Sequence, residues 1–215
     1  MKRCNRFAGI LAMIVVMAAF AAGAGADEKA EKGKKSGAKG GPPDEKAMME
    51  MMAKVATPGE QHKKLEPFVG TFDTKLKFWM DPSKPPEETS GKTETKWVLG
   101  NRYLEQHYDG TFMGQPFSGI GFTGYDNVTK KYWGTWVDDM GTGVMTSTGR
   151  MNKGGKSMTY TGQAPDPTTG KMAANKTKLI LTDADHYSFE MWGAGPDGKQ
   201  IKMMEIGRAS CRERV

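Results

Sequence analysis

The stretch from residue 69 to 206 is a succession of short segments in which apolar and polar residues alternate, with no helical pattern between them. The first segment, GTFDTKLKFWM, sets Phe72, Thr74 and Leu76 against Asp73 and Lys75. Turn-forming sequences separate the segments, among them YDNVTKK, NKGGK, PDPTTGK and AGPDGK. A period of two residues with such turns is typical of β-strands joined by hairpins. The sequence therefore predicts about ten antiparallel strands connected in chain order.

Strands of this kind either stack as a sandwich or close into a barrel. A short leading helix, a first strand that begins Gly-Thr-Phe and a series of hairpins favour closure. The predicted fold is all-β: an antiparallel up-and-down β-barrel preceded by a short N-terminal helix, with the barrel domain at residues 67–206. The inner face of such a barrel is able to line a ligand cavity.

The first 26 residues have the organisation of a secretory signal peptide. Lys2, Arg3 and Arg6 precede an apolar run over residues 7–22, and Ala24-Gly25-Ala26 follows as a small-residue cleavage site. The alternative is an uncleaved membrane anchor, but the run is short and rich in alanine for a stable span. We therefore expect a periplasmic or secreted protein with no membrane span after cleavage.

Two segments of different character lie between the signal peptide and the barrel. Residues 27–43, DEKAEKGKKSGAKGGPP, have the composition of a flexible Lys/Gly/Pro linker. Residues 44–66 predict an N-terminal helical segment with Asp44 as its cap, and Pro67 is expected to end it. Four methionines of this segment predict a helix with one face buried against the domain, or alternatively a surface that binds a partner; they are Met48, Met49, Met51 and Met52.

The C-terminal residues 207–215, GRASCRERV, abandon the alternating pattern. Residues 206–215 correspond, codon by codon, to a sequence that resembles a common short-read sequencing adapter. Residues 207–215 are therefore predicted to be a sequencing artefact, with a genuine basic tail as the alternative. An artefact should leave the last strand short and residues 207–215 without packing.

The charge of the chain depends on how its two ends are interpreted. The formal net charge is +6, but residues 27–205 hold 25 basic and 24 acidic side chains, which is about +1. Nucleic-acid binding needs clustered, uncompensated positive charge, so no nucleic-acid partner is predicted. Both cysteines, Cys4 and Cys211, lie in the end segments, which leaves the barrel domain without disulfide or thiol chemistry.

Candidate ligand-binding residues are aromatic and polar side chains assigned to the inner face of the strands. They are Trp97, Trp136, Asp138, Tyr187 and Glu190. Alternation sends Asp138 and Asp139 to opposite faces, which excludes a carboxylate dyad, and Asp138 is either a ligand contact or a turn cap before Gly141.

Metal and cofactor chemistry finds little support in the sequence. His62, His107 and His186 lie in separate elements without ligand spacing, so no metal site is predicted. A haem-binding barrel of the nitrobindin type would need one inward histidine, for which His107 or His186 would serve, but no cofactor is predicted.

Several motifs together resemble a bacterial family, the domain-of-unknown-function family 1579. They are HKKLEPFVGTF, KWVLGNRYLEQHYDG, FSGIGFTGYDN, TWVDDMGTGVMTSTG and GPDGKQIKMMEI, spread from His62 to Ile206. The resemblance implies a calycin-like barrel, the group of lipocalins and fatty-acid-binding proteins. FVGTF is similar to the FVGTW opening of fatty-acid-binding proteins, with Phe72 in place of tryptophan.

Three functions stay open at this stage. The first is an exported binding module that holds a small, partly apolar or amphipathic molecule in the barrel. The second is an enzyme that uses one cavity carboxylate, Asp138 or Glu190, with a raised pKa. The third is a structural or envelope-interaction protein with a filled barrel and an exposed methionine face. The sequence leaves the oligomeric state undetermined.

Overall fold

The computed structural model of the protein describes residues 44–166, 169–195 and 199–211. The predicted signal peptide and linker, residues 1–43, lie outside the described residues. None of the helices in the described ranges combines the length and hydropathy that crossing a bilayer requires.

Two helices and a 3-10 turn precede the sheet. Helix α1 spans Glu45–Ala56, helix α2 spans Glu60–Lys63, and the 3-10 turn covers Glu66–Phe68. The Asp44 carboxylate accepts a hydrogen bond from the Ala47 N–H at 2.7 Å, as predicted for an N-cap. The helical segment continues past Pro67 because proline is tolerated in a first helical turn.

No residue of α1 is buried, so the prediction that one methionine face packs on the domain is wrong. Met49 and Met52 are about two-thirds exposed, at 65% and 64%. The helix is held instead at its C-terminus, where the Asn127 side-chain amide donates to the carbonyls of Val55 and Thr57. Two polar contacts position this helix without requiring an apolar interface.

Ten antiparallel strands close into one barrel, as predicted. Each strand pairs with its neighbours in sequence, and β1 pairs with β10 to complete the cylinder. The strands are β1 Gly70–Phe78, β2 Glu87–Val98, β3 Tyr103–Phe112, β4 Gln115–Asp126, β5 Lys131–Asp138, β6 Met145–Met151, β7 Ser157–Asp166, β8 Lys171–Leu181, β9 His186–Ala194 and β10 Gln200–Ser210.

The last strand is not truncated, contrary to the expectation for residues 207–215. Strand β10 runs to Ser210, which pairs with Phe72, and the Cys211 N–H donates to the Thr71 carbonyl at 2.9 Å. Arg208 is buried at 6% exposure. The expected lack of packing is therefore wrong for residues 207–211, while 212–215 lie outside the described residues. A packed segment that continues the sheet counts strongly against the adapter origin, which stays a prediction.

The helical end of the barrel is filled by a large core cluster. Leu65 and Phe68, from the segment before β1, enter it at 1% and 7% exposure. The Tyr132 hydroxyl donates to Gln61, and the Trp97 indole N–H donates to a Glu66 carboxylate oxygen at 2.7 Å. This end of the barrel is closed by the chain's own N-terminal segment.

A second, smaller cluster lies towards the opposite end, which we call the far end. It consists of Leu76, Phe78 and Ile206, and Phe112 and Met204 pack against it. The turn between β3 and β4 and the loop between β5 and β6 lie at this end.

Candidate functional site

A belt of polar side chains crosses the barrel interior between the two apolar clusters. Thr74, Thr93 and Tyr108 lie on adjacent strands, are 0–2% exposed, and face inward. The Thr93 hydroxyl has no hydrogen-bond partner among the described residues. The hydroxyls of Thr74 and Tyr108 are neighbours without good hydrogen-bond geometry, and the same holds for Tyr187 and Thr95. A buried polar group without a partner costs about 1–3 kcal/mol, so this belt is an unfavourable feature for a core that only has to be stable.

Gly91 on β2 and Gly110 on β3, which pair with each other, make room for the Tyr108 ring inside the barrel. A Cβ atom at Gly91 would lie 2.6 Å from the Tyr108 hydroxyl oxygen, and one at Gly110 would lie 2.5 Å from it. Burial raises the pKa of the Tyr108 phenol, against the smaller opposing effect of Thr74. The phenol is therefore a neutral donor and acceptor at physiological pH.

Arg208 also reaches into this belt from β10. It lies opposite Thr74 and Tyr187 in the ladders, and its guanidinium is 5.1 Å from the centre of the Tyr187 ring. Its Nε has no hydrogen-bond partner, and no carboxylate of the described residues pairs with it. Arg208 falls in the segment that the sequence predicts to be an adapter artefact.

Trp136 and Asp138 lie on the inner face of β5, towards the far end. Their strand partners are Gly121 and Gly119, and the Trp136 N–H donates to an Asp138 carboxylate oxygen at 2.9 Å. The other Asp138 oxygen accepts from the Met140 N–H at 3.1 Å, as a turn cap would. The structure brings this predicted pair together and shows that Asp138 serves as a cap as well.

The other three predicted residues lie elsewhere. Trp97 is part of the closed helical end, and Tyr187 is 3% exposed there with its ring edge-to-face against Phe68 and Phe72. Burial raises the pKa of the Tyr187 phenol. Both side chains belong to the packed core at the end opposite the Trp136 pair.

The inward assignment of Glu190 is wrong. Glu190 lies on the outer face of β9, where its carboxylate accepts hydrogen bonds from Lys202 at 2.7 Å and from the Trp192 indole at 3.3 Å. Burial by itself would raise the pKa of Glu190. The Lys202 ammonium and the two hydrogen bonds outweigh this effect, so the pKa of Glu190 lies below its usual value. The enzyme hypothesis requires a cavity carboxyl with a raised pKa, and Glu190 does not have this property.

The histidines do not converge. His107 lies on the outer face against Glu105 at 2.6 Å, and His186 pairs with Asp183 at 2.8 Å. His62 is buried, its Nδ1 accepts from the Gly59 N–H, and burial lowers its pKa. Within the described ranges, no cluster of three or more histidine, cysteine, aspartate or glutamate side chains is arranged to hold a metal ion.

Two depressions mark the barrel surface. One, of about 770 Å³, lies along β1, β2 and β10 and is lined mainly by outer-face residues such as Asp73, Lys75 and Lys92. The other, of about 250 Å³, lies beside Asp138 at the far end and is also lined mainly by outer-face residues, such as His107, Ile120 and Val137. We place the candidate site on the inner side of this wall, where the Trp136 ring and the Asp138 carboxylate face the interior.

The belt hydroxyls were missed at the sequence level. Threonines and tyrosines at alternate positions are common in strands, and nothing in one strand indicates that its hydroxyls will lack partners. The repeated inward glycines of β4, Gly119 and Gly121, were the available signal, because inward glycine in a barrel strand marks close approach of another group.

Fold and interior together define a class: closed ten-stranded antiparallel barrels with a mixed aromatic and polar lumen. Residues 57–208 match the model of a family described as "Protein of unknown function (DUF1579)", and the chain belongs to this family. No curated protein is significantly similar to it in sequence.

Eighteen chains of solved structures match this chain, including the following two. The crystal structure of Rv2717c from M. tuberculosis superposes with a TM-score of 0.56 at 14% identity, covering 73% of this chain and 100% of that one. A redesigned β-barrel, b11L5F_LGL, gives a TM-score of 0.35 at 14% identity, covering 70% and 96%. The first similarity supports the barrel fold alone.

Proposed function

We propose that this protein is an exported binding module that holds a small amphipathic molecule inside its barrel. The observation that carries the proposal is the interior belt of buried hydroxyls at Thr74, Thr93 and Tyr108, in which the Thr93 hydroxyl has no partner among the described residues. Unpaired polar groups are costly in a stable core and are often retained where they serve a ligand.

The composition of the lumen sets the character of the molecule. The belt lies between an aromatic cluster at the helical end and the Leu76–Phe78–Ile206 cluster. A ligand inside the barrel therefore contacts both apolar side chains and the belt hydroxyls. Such a molecule needs an apolar body and at least one group able to form hydrogen bonds.

Export is part of the proposal and rests on the N-terminal sequence. The positively charged start, the apolar run and the Ala24-Gly25-Ala26 site predict cleavage before Asp27. The mass of the mature protein recovered from the periplasm or medium of a bacterial host tests this. A full-length protein retained in the cells would count against export and leave ligand binding untouched.

Native mass spectrometry of the mature chain tests the binding function. We expect an added mass that is released on denaturation. The Thr93→Val variant should carry less of it, because valine keeps the shape and removes the hydroxyl. The matched control is Thr159→Val, which removes a hydroxyl from the exposed outer face of β7.

The melting temperatures of the natural protein and of Thr93→Val, both free of ligand, provide a second test. Removing the unpaired Thr93 hydroxyl should leave the melting temperature unchanged or raise it, since the desolvation cost disappears. A Thr93→Val variant that is less stable and retains the same bound mass would show a structural role for the hydroxyl. A clean ligand-free mass from several hosts would overturn the binding function.

A further inference from the structure

The far end of the barrel contains an indole ring that lies flat against the inner wall. A Cβ atom at Gly119 would lie 2.2 Å from Cζ2 of Trp136, and one at Gly121 would lie 2.9 Å from its Cε3. Two glycines two residues apart on β4 thus accommodate one face of the ring. The other face is directed towards the lumen, and Trp136 is partly exposed.

This ring has no stacking partner within the protein. The described residues provide Trp136 with neither an aromatic neighbour nor a cation, although rings elsewhere in the barrel are paired. On β6 the inward Met145 pairs directly with Trp136. The other inward residues on the next strands are small: Ser147 on β6, Gly162 and Ala164 on β7, and Ala173 on β8.

The charge beside the ring is negative. The Asp138 carboxylate is held against the indole N–H at 2.9 Å, and no basic side chain among the described residues forms an ion pair with it. Asp166 is a second inward acid at this end and is engaged by the Thr169 hydroxyl at 2.7 Å. Asp138 therefore lies on the inner wall with two hydrogen-bond donors and without a cationic partner among the described residues.

We propose that the Trp136–Asp138 pair binds an organic cation, a molecule with an ammonium or protonated heteroaromatic group on an apolar body. The inference rests on the proposed binding function and names its ligand class. Tryptophan presents the strongest cation-binding face among the aromatic side chains, and a carboxylate at the ring edge adds direct charge attraction. The apolar body of the ligand extends along the lumen towards the belt.

A similar tryptophan–carboxylate pair on the outer wall provides a comparison for the Trp136–Asp138 pair. Trp192 and Glu190 have the same spacing on β9 and the same indole-to-carboxylate hydrogen bond, but they face outward. There Lys202 neutralises the carboxylate at 2.7 Å and lies 5.4 Å from the centre of the Trp192 ring. At this second Trp–carboxylate pair, the protein's own Lys202 supplies the ammonium group.

Phenyltrimethylammonium and the neutral tert-butylbenzene have one shape and differ in charge, and 4-tert-butylbenzoate adds a carboxylate to the same body as an anionic probe. Calorimetric titration of the mature chain should show the cation binding about tenfold more tightly than the neutral probe. Asp138→Asn should remove most of that preference, whereas Glu190→Gln should keep it. The Trp136 indole N–H signal, assigned with Trp136→Phe, should shift with the cation.

Each outcome has a definite meaning. Equal binding of the cationic and neutral probes, unchanged by Asp138→Asn, would overturn the cation site and leave the binding barrel intact. Preference for the anion would also overturn it. No binding of any probe, together with a clean ligand-free mass, would overturn both proposals. Should Asp138→Asn fail to fold, Trp136→Phe keeps a ring while removing the indole, and should weaken cation binding severalfold.

Discussion

The hydroxyl of Tyr108 occupies the space that a side chain at Gly91 would need: a Cβ atom there would lie 2.6 Å from the phenolic oxygen. The two residues lie on adjacent strands β3 and β2, and both face the interior. The position of the belt thus depends on a residue without a side chain. Aromatic rings set over inward glycines recur at Trp136 and Gly119, so large and small residues together fill this lumen.

Gly91→Ala should destabilise the barrel by about 1–3 kcal/mol, because the added methyl group meets both the Tyr108 ring and the Asp109 carbonyl. Urea unfolding followed by circular dichroism measures the change. Gly141→Ala is the control, since no atom lies closer than 3.9 Å to a Cβ there. Equal stability of the two variants would show that the wall adjusts freely around Tyr108.

Leu65→Ala should cost about 2–5 kcal/mol, because this side chain is 1% exposed in the helical-end cluster and its removal leaves a cavity. Leu99→Ala provides the comparison. Leu99 is 72% exposed, so its truncation should change the free energy of unfolding by less than about 0.5 kcal/mol. A small effect of Leu65→Ala would mean that the N-terminal segment does not close the barrel in solution.

Arg208→Met should stabilise the ligand-free protein by about 1–4 kcal/mol. A buried guanidinium without a carboxylate partner loses hydration that a cation–π contact only partly replaces, and methionine fills similar volume without that loss. Thermal unfolding at low salt measures the shift, and Arg150→Met on the exposed outer face of β6 is the control. A lower melting temperature for Arg208→Met would show that the arginine is well accommodated.

The outer Glu190–Lys202 pair should contribute a stability that depends on pH. Because the folded-state pKa of Glu190 is lowered, its contribution is present above the unfolded pKa, near 4.3, and is lost as the pH falls through the folded value. The free-energy difference between the natural protein and Glu190→Gln should therefore be at most about 1 kcal/mol at pH 7 and shrink below about pH 4. A difference that stayed constant from pH 7 to pH 3 would contradict the lowered pKa.

The alternation of apolar and polar residues was enough to predict many of the residues on the inner face of the barrel. Phe72, Thr74 and Leu76 face inward as the pattern of β1 predicts, and Trp136 and Asp138 share a face because they are two residues apart. The same rule places Glu190 on the outer face, since it lies three positions after the inward Tyr187 and an odd offset reverses the face.

The alternating pattern did not predict how far along the barrel axis each inward residue lies. Trp97, Tyr187 and Trp136 all face inward, yet the first two lie at the closed helical end and the third lies towards the far end. Their heights follow from the register of ten ladders, which arises from turn geometry and from closure between β1 and β10. No single strand contains that information.

The sequence by itself determined the class of fold and the faces of its strands, because a period of two with hairpin turns admits few other architectures. It also determined the family, through ordered motifs spread over the barrel. The tertiary structure alone decided which hydroxyls are buried without partners, which tryptophan lies open to the lumen and which carboxylate is neutralised by a lysine. These properties depend on contacts between strands that are far apart in the chain. Closure of the sheet brings those strands together.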